Sequence, residues 1–217
     1  MMLGRFLKTI LLTGLALVPA KGVVLFQLET FDGPTGWTAG SPHPSPPFIQ
    51  PDSGPLGTGD SSLVINASPG SGPGSRLATY NRTDWTGDYL GAGISALTMD
   101  LRNQSPNASQ IRIGVNGPGG WFVTEARPLG VFSTWTSVEF DLTADSLLSA
   151  GGSDAHATLA GVTELRILHN ADVNFRGGTG QRTLRVDNLF AVPEPEIPLL
   201  AGLGVIFLCG FLCRRRR

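Results

Sequence analysis

Short stretches in which apolar and polar residues alternate recur throughout positions 22–192, and this pattern restricts the possible folds more than any other feature. In residues 96–102, for example, Leu97, Met99 and Leu101 alternate with polar side chains. Alternation with a period of two places one face of a strand in a core and the other in water, as in antiparallel sheets packed face to face. Long amphipathic helical patterns do not occur in this part of the sequence. We therefore predict an all-β fold, a jelly-roll-like antiparallel β-sandwich.

Glycine, proline, serine and asparagine separate the expected strands. Residues 41–59 include six prolines, which cannot donate to a sheet ladder, so a loop is predicted there. A glycine-rich connector is predicted at 68–75 and a short helical turn at 144–150. The expected strands cover residues 24–31, 62–67, 76–80, 96–102, 111–115, 121–127, 138–142, 164–169 and 184–192.

The N-terminus has the order of a secretory signal peptide. Arg5 and Lys8 precede an apolar run at 10–18, and the small residue Ala20 follows it. In a helix the apolar run would reach only about 14 Å, too short to span a bilayer. We predict a signal peptide at 1–20, cut by signal peptidase after Ala20; the alternative is an N-terminal core helix.

The C-terminus has the order of a membrane anchor. Residues 197–213 carry no charge, and the basic residues Arg214, Arg215, Arg216 and Arg217 follow at once. A helix of this length covers roughly 26 Å, near the lower limit for a spanning segment. Because basic tails stay in the cytoplasm, we predict a C-terminal transmembrane helix with the domain at 21–192 exported.

The charges of the exported part argue against some functions. Positions 22–192 hold nine arginines, no lysine and fifteen acidic residues, and the sequence shows no basic cluster. Nucleic acid is therefore not an expected partner. Cys209 and Cys213 both lie in the apolar segment, so the exported domain has no disulfide and depends on its core for stability.

The tail resembles a known sorting signal. The residues Val192, Pro193, Glu194 and Pro195, then the apolar segment and the arginines, are similar to the PEP-CTERM signal of Gram-negative bacteria. The resemblance implies a sorting segment at 193–217 that an exosortase, an integral membrane cysteine protease, processes near Pro193, Glu194 and Pro195. It also implies an inner-membrane-tethered precursor and a mature protein at the cell surface, in the outer envelope or in the extracellular matrix. The alternative is a plain tail anchor with a proline-rich stalk.

The exported part carries a second resemblance. Residues 84–89 (Asp-Trp-Thr-Gly-Asp-Tyr) and 97–103 (Leu-Thr-Met-Asp-Leu-Arg-Asn) are similar to laminin-B-type and galactose-binding-like sandwich modules. The resemblance implies a structural calcium ion with Glu29 or Asp32 and Asp187 as ligands, and Asp60 nearby. In the alternative, Asp32 caps a turn and Asp187 faces solvent.

Aromatic residues are the candidates for stacking on sugar rings, and we expect Trp121 and Trp85 to be the ligand contacts. Catalysis is not expected, because His43, His156 and His169 are scattered and no nucleophile constellation is visible.

Three functions follow from these observations. The leading one is an exported, non-enzymatic β-sandwich, for which the resemblance implies a role at the cell surface or in the exopolysaccharide matrix through weak carbohydrate binding. The second is a structural matrix protein without a specific ligand. The third is a polysaccharide lyase or hydrolase, which on an acidic polysaccharide would need a basic concave face with histidine or tyrosine.

Overall fold

The computed structural model describes residues 22–40, 43–72 and 74–194. The expected signal peptide, the apolar segment at 197–213, Pro195 and the arginine tail lie outside these residues. Within the described ranges no helix is long and apolar enough to cross a membrane.

Nearly all of the described regular structure is strand. The elements are β1 Leu28–Glu29, β2 Phe48–Gln50, β3 Ser62–Ala67, β4 Ala78–Asn81, β5 Ile94–Asn103, β6 Ser109–Gly117, β7 Gly120–Val123, β8 Arg127–Leu129, β9 Thr136–Asp141, β10 Leu148–Ser149, α1 Ala155–Leu159, β11 Glu164–His169 and β12 Arg182–Pro193.

The strands form two antiparallel sheets of six strands each. The first sheet has the order β2-β3-β12-β5-β9, with β1 also paired to β12. The second has the order β10-β7-β6-β11-β4, with β8 also paired to β6. The predicted all-β, jelly-roll-like sandwich is therefore confirmed.

Apolar residues from alternate positions of both sheets fill the core. In β5 of the first sheet Leu97, Met99 and Leu101 are buried, and in β6 of the second sheet Ile111, Ile113 and Val115 are. In β5 the residues between them are partly exposed, so there the period of two seen in the sequence is the period of burial.

Four local predictions are wrong. Of the strand predicted at 24–31 only β1 forms, because a turn closed by the bond from the Gln27 N–H to the Val24 carbonyl precedes it. The proline-rich stretch predicted as a loop contains β2, an edge strand that pairs with β3 and so needs hydrogen bonds on one side only. The predicted helical turn at 144–150 is a turn followed by β10, and the helix forms later, where the Asp154 side chain accepts a hydrogen bond from the Ala157 N–H. The single strand predicted at 121–127 is two strands, β7 and β8, which pair with different parts of β6.

The Glu29 carboxylate ties β1 to the core. Its Oε2 accepts hydrogen bonds from the indole N–H groups of Trp37 (2.9 Å) and Trp85 (2.6 Å). Its Oε1 accepts one from the Thr35 hydroxyl at 2.6 Å. Because both indoles are buried, one carboxylate satisfies two donors that have no access to water.

We expect Glu29→Ala to lower the free energy of unfolding by about 2–5 kcal/mol, because it leaves two buried indole N–H groups unpaired. Urea denaturation followed by tryptophan fluorescence measures this. Glu139→Ala is the matched control, since Glu139 is an exposed carboxylate on β9, and it should change stability by less than about 0.5 kcal/mol. Equal effects of the two substitutions would contradict the role given to Glu29.

Candidate functional site

The outer face of the second sheet carries aromatic and basic side chains. Since Leu165 and Ile167 of β11 lie in the core, Arg166 between them points outward. Its partners in the ladder, Tyr80 in β4 and Gly114 in β6, share this outer face. Gly114 is buried, because the side chains of Leu168 and Val123 pack over it, so the open part of this face lies on the Tyr80 side of Arg166.

Trp121 lies on the same outer face, opposite Asn116 across the β6–β7 hairpin. A Cβ atom on Gly119 in this hairpin would collide with the carbonyl of Asp154, so glycine allows the hairpin to pack against the start of α1. The indole of Trp121 is half-buried, because the Phe175 ring stacks on it with centroids 4.7 Å apart and planes 12° apart. A sugar ring could use this face of Trp121 only by displacing Phe175.

Arg166 connects these aromatic side chains. Its guanidinium carbon lies 4.3 Å from the ring centroid of Trp121 and 5.7 Å from that of Tyr80. One Nη donates to the Phe175 carbonyl at 3.1 Å, and Nε donates to Glu164. Stacking and ion pairing together hold this guanidinium in place on the sheet.

Glu164 is shared by two arginines. Besides Arg166, its carboxylate accepts a hydrogen bond from Nε of Arg82 at 2.7 Å, and only 6% of its side chain is exposed. The Arg82 guanidinium also lies 4.4 Å from the ring centroid of Tyr80. Two cations around one carboxylate leave a net positive charge here.

A cavity of about 400 Å³ opens between this face and the loops beside it. Its charged and aromatic lining consists of Arg76, Arg166, Arg176, His43 and Tyr80, and no acidic side chain is among the described residues that line it. We call this cavity the arginine groove.

The arginine groove corrects the expectation that the exported part has no basic cluster. Arg76 lies ninety residues before Arg166 in the sequence, and Arg176 follows Arg166 after a further ten. The pairing of β4 with β11 and the bond from Arg76 to the Gly177 carbonyl bring them together. Sequence analysis missed the groove because no local pattern reports such convergence.

The prediction that Trp85 contacts a ligand is wrong. Its side chain is fully buried, and its N–H is bonded to Glu29. Trp121 lies on the groove side of the molecule, and its part in ligand binding stays a prediction.

The expected calcium ligands lie on the other sheet. Asp187 in β12 is fully buried, so the alternative in which it faces solvent is wrong. Its Oδ1 accepts the Asn188 N–H at 2.8 Å, whereas its Oδ2 has no hydrogen-bond partner. Burial raises the pKa of Asp187 to about 7, and the charges of Asp60, Asp32 and Asp100 act in the same direction.

An unpartnered, buried carboxylate oxygen near three other carboxylates fits a hard cation chemically. One carboxylate oxygen of Asp32 accepts a hydrogen bond from the Ser61 N–H at 3.0 Å. One carboxylate oxygen of Asp60 accepts a hydrogen bond from the Leu56 N–H at 2.7 Å. No three metal-binding side chains in the described part of the chain already form one cluster, so a cation would have to draw Asp32 and Asp60 toward Asp187.

Glu29 is not part of this group, because its two oxygens hold Trp37, Trp85 and Thr35. The calcium site accordingly stays a prediction, with Asp32, Asp60 and Asp187 as its ligands.

The start of the expected sorting segment belongs to the folded domain. Pro193 is the last residue of β12 and pairs with Ile94, and its carbonyl accepts a hydrogen bond from the Ser95 hydroxyl at 3.0 Å. The Glu194 N–H donates to the Gly93 carbonyl at 3.0 Å. The first two residues of the Pro-Glu-Pro sequence are therefore attached to the sheet.

The tail is identified by comparison with known families. Residues 191–217 match the PEP-CTERM protein-sorting motif, so the prediction made from the tail residues is confirmed. Such a motif implies export and sorting through a membrane-anchored precursor.

Solved structures share the β-sandwich fold of the described domain. One is the family 11 carbohydrate-binding module from Clostridium thermocellum in complex with a β-1,3-1,4-mixed-linked tetrasaccharide, with 17% identity, a TM-score of 0.51, and coverage of 80% of this chain and 98% of that one. Another is an exo-β-agarase, with 14% identity, a TM-score of 0.53, and coverage of 79% of this chain but 25% of that one. This chain therefore spans a quarter of the agarase. No curated protein matches the sequence.

In metal-free protein we expect stability to fall as the pH rises from about 4 to about 7. The folded state keeps the Asp187 proton up to its raised pKa of about 7, whereas the unfolded state releases it near the ordinary value of 3.8, so the folded state binds more protons in this window. The loss is at most about 4 kcal/mol. Thermal unfolding at a series of pH values in the presence of a chelator measures this loss of stability. The Asp187→Asn substitution should remove the pH dependence.

If Asp187 binds calcium, added Ca²⁺ should raise the melting temperature of the wild-type protein at pH 8 and leave that of Asp187→Asn unchanged. Asp145→Asn is the control, because Asp145 belongs to the 144–146 turn and not to the carboxylates around Asp187. The same Ca²⁺ response in Asp187→Asn as in the wild type would contradict the site.

Proposed function

We propose that this protein is an exported, non-catalytic glycan-binding protein, sorted by an exosortase-type protease to the cell surface or its matrix, and that its arginine groove binds an acidic polysaccharide. The observation that carries the proposal is the groove itself, an open cavity lined by three guanidinium groups and the ring of Tyr80. The sorting motif and the fold shared with carbohydrate-binding modules support it.

The chemistry of the groove favours an acidic glycan over a neutral one. Planar guanidinium groups form paired hydrogen bonds with carboxylate or sulfate groups, and aromatic rings contact the apolar faces of sugars. The exported part is acidic as a whole, yet three of its nine arginines line this one cavity. An acidic chain would therefore be attracted to the groove and repelled by most of the remaining surface.

A binding role fits the groove better than catalysis. Glu164, the carboxylate beside the groove, is bonded to Arg82 and Arg166 and has no free oxygen for general acid or base work. Tyr80 and His43 do lie on a basic face, which the sequence did not show, so turnover must be tested together with binding.

The test compares two glycans and two arginines. Titration calorimetry with oligogalacturonate and with a neutral mixed-linkage β-glucan oligosaccharide measures the preference, and we expect the acidic one to bind more tightly, with an affinity that falls as salt is added. Arg176→Ala should weaken oligogalacturonate binding about tenfold, the usual effect of one charge-assisted hydrogen bond. Arg127→Ala, an exposed arginine outside the groove, should bind like the wild type.

Several results would contradict the proposal. An equal loss of oligogalacturonate affinity in Arg176→Ala and Arg127→Ala would place the binding site outside the groove. Equal affinity for the neutral oligosaccharide, or for single-stranded DNA, would remove the stated selectivity. A shortened oligogalacturonate after incubation would make the protein a lyase or hydrolase, and no affinity for any glycan would favour a structural matrix protein.

A further inference from the structure

An exposed apolar turn lies near the start of the described domain. The Gln27 N–H donates to the Val24 carbonyl at 3.1 Å, which closes a turn with Leu25 and Phe26 at its tip. The side chains of Val24, Phe26 and Leu28 are each more than half exposed, and Leu25 is 36% exposed. We call Val24, Leu25, Phe26 and Leu28 the apolar turn.

The composition of this turn is unusual. Phe26 has a φ of 63°, a left-handed conformation that turns normally give to glycine or asparagine because a side chain is strained there. A turn facing only water gains nothing from Leu-Phe at its tip. Such strain motivates a contact hypothesis only together with a second observation, which the attachment of this turn to the last strand supplies.

The apolar turn is attached to the end of the chain that leads to the sorting tail. The Phe26 N–H donates to the Ala191 carbonyl (3.2 Å), and the Ala191 N–H donates to the Gln27 carbonyl (2.9 Å). The rings of Phe26 and Phe190 lie 6.2 Å apart. The exposed apolar surface is therefore continuous with the last strand.

Very little chain separates this surface from the apolar segment of the tail. Glu194 is still bonded to Gly93, and the uncharged segment begins at Ile197, three residues later. Three extended residues span about 10 Å. If that segment lies in a bilayer, the apolar turn must lie close to the lipid surface.

We propose that the apolar turn inserts into the outer surface of the bilayer while the tail tethers the protein, an inference that rests on the membrane tether of the proposed function. Apolar side chains, an aromatic among them, suit the boundary between headgroups and acyl chains. The segment 22–31 carries one charge, Glu29, which is bonded to the indoles of Trp37 and Trp85, so the contact is apolar and independent of salt. Four apolar side chains are far fewer than the roughly 20–30 residues that each partner gives to a stable protein interface.

The contact would hold the folded domain against the membrane only until the sorting tail is removed. A few apolar side chains bind a bilayer weakly and reversibly, as a single short lipid chain does. Once the tail is removed, the body would leave the membrane with its groove available to polysaccharide.

The test uses the full chain with Cys209 and Cys213 changed to serine, in vesicles of phosphatidylethanolamine and phosphatidylglycerol. A spin label is placed on Phe26→Cys or Leu28→Cys, or on Phe132→Cys as the matched control. Phe132 is also an exposed phenylalanine at positive φ (66% exposed, φ 43°), but it is bonded to Ser105 beyond the far end of β5. We expect labels at 26 and 28 to be relaxed mainly by lipid-soluble oxygen and the label at 132 by a water-soluble nickel chelate, at low and high salt alike.

Each other outcome overturns the inference in a recognisable way. If the chain does not float with the vesicles, the tether of the proposed function is wrong and the apolar turn has no bilayer to contact. If it floats but the labels at 26 and 28 are as accessible to nickel as the label at 132, the tether stands and the contact with lipid is wrong. Dipolar broadening between labels at position 26 would assign the surface to a second copy of the chain.

Discussion

The pairing of β12 with β5 is the interaction on which the rest of the structure depends. β12 is the longest strand among the described residues and lies inside the first sheet, where it pairs with β1, β3 and β5. Its inward residues Leu184, Val186 and Leu189 are fully or almost fully buried. Because no cysteine occurs in the exported part, this ladder and the core beneath it do what disulfides do in many secreted domains. The same ladder carries Asp187 and ends in the sorting motif.

Two outer faces with different charges result from this arrangement. On the first sheet, Arg185 donates a hydrogen bond to the Ser53 carbonyl, and the charges of Asp32 and Asp60 raise the pKa of Asp187. Because Asp32, Ser53 and Asp60 belong to loops, loops cover that part of the sheet. On the second sheet, Arg166 and Tyr80 lie beside an open cavity. Asp32, Asp60, Asp100 and Asp187 thus lie close together on the first sheet beside Arg102 and Arg185, whereas the described lining of the groove on the second sheet holds arginines and no carboxylate.

The sequence predicted what depends on local periodicity. β3 and β11 have the predicted bounds, because each is a short apolar-rich stretch that ends at a polar or glycine-containing loop. β2 was missed because prolines dominate its surroundings, although an edge strand tolerates them. Trp85 was misjudged because a polar neighbourhood in the sequence does not reveal that Glu29 buries its N–H. The groove required knowledge of which strands pair, since Arg166 and Arg176 meet Arg76 only through the fold.

Binding of acidic polysaccharide in the arginine groove can be tested by chemical-shift mapping with oligogalacturonate. In ¹⁵N-labelled protein we expect the amide signals of Tyr80, Arg166 and Arg176 to move most, while those of Asp100 and Arg185 on the first sheet stay in place. Shifts centred on the first sheet, or none at saturating oligogalacturonate, would contradict it.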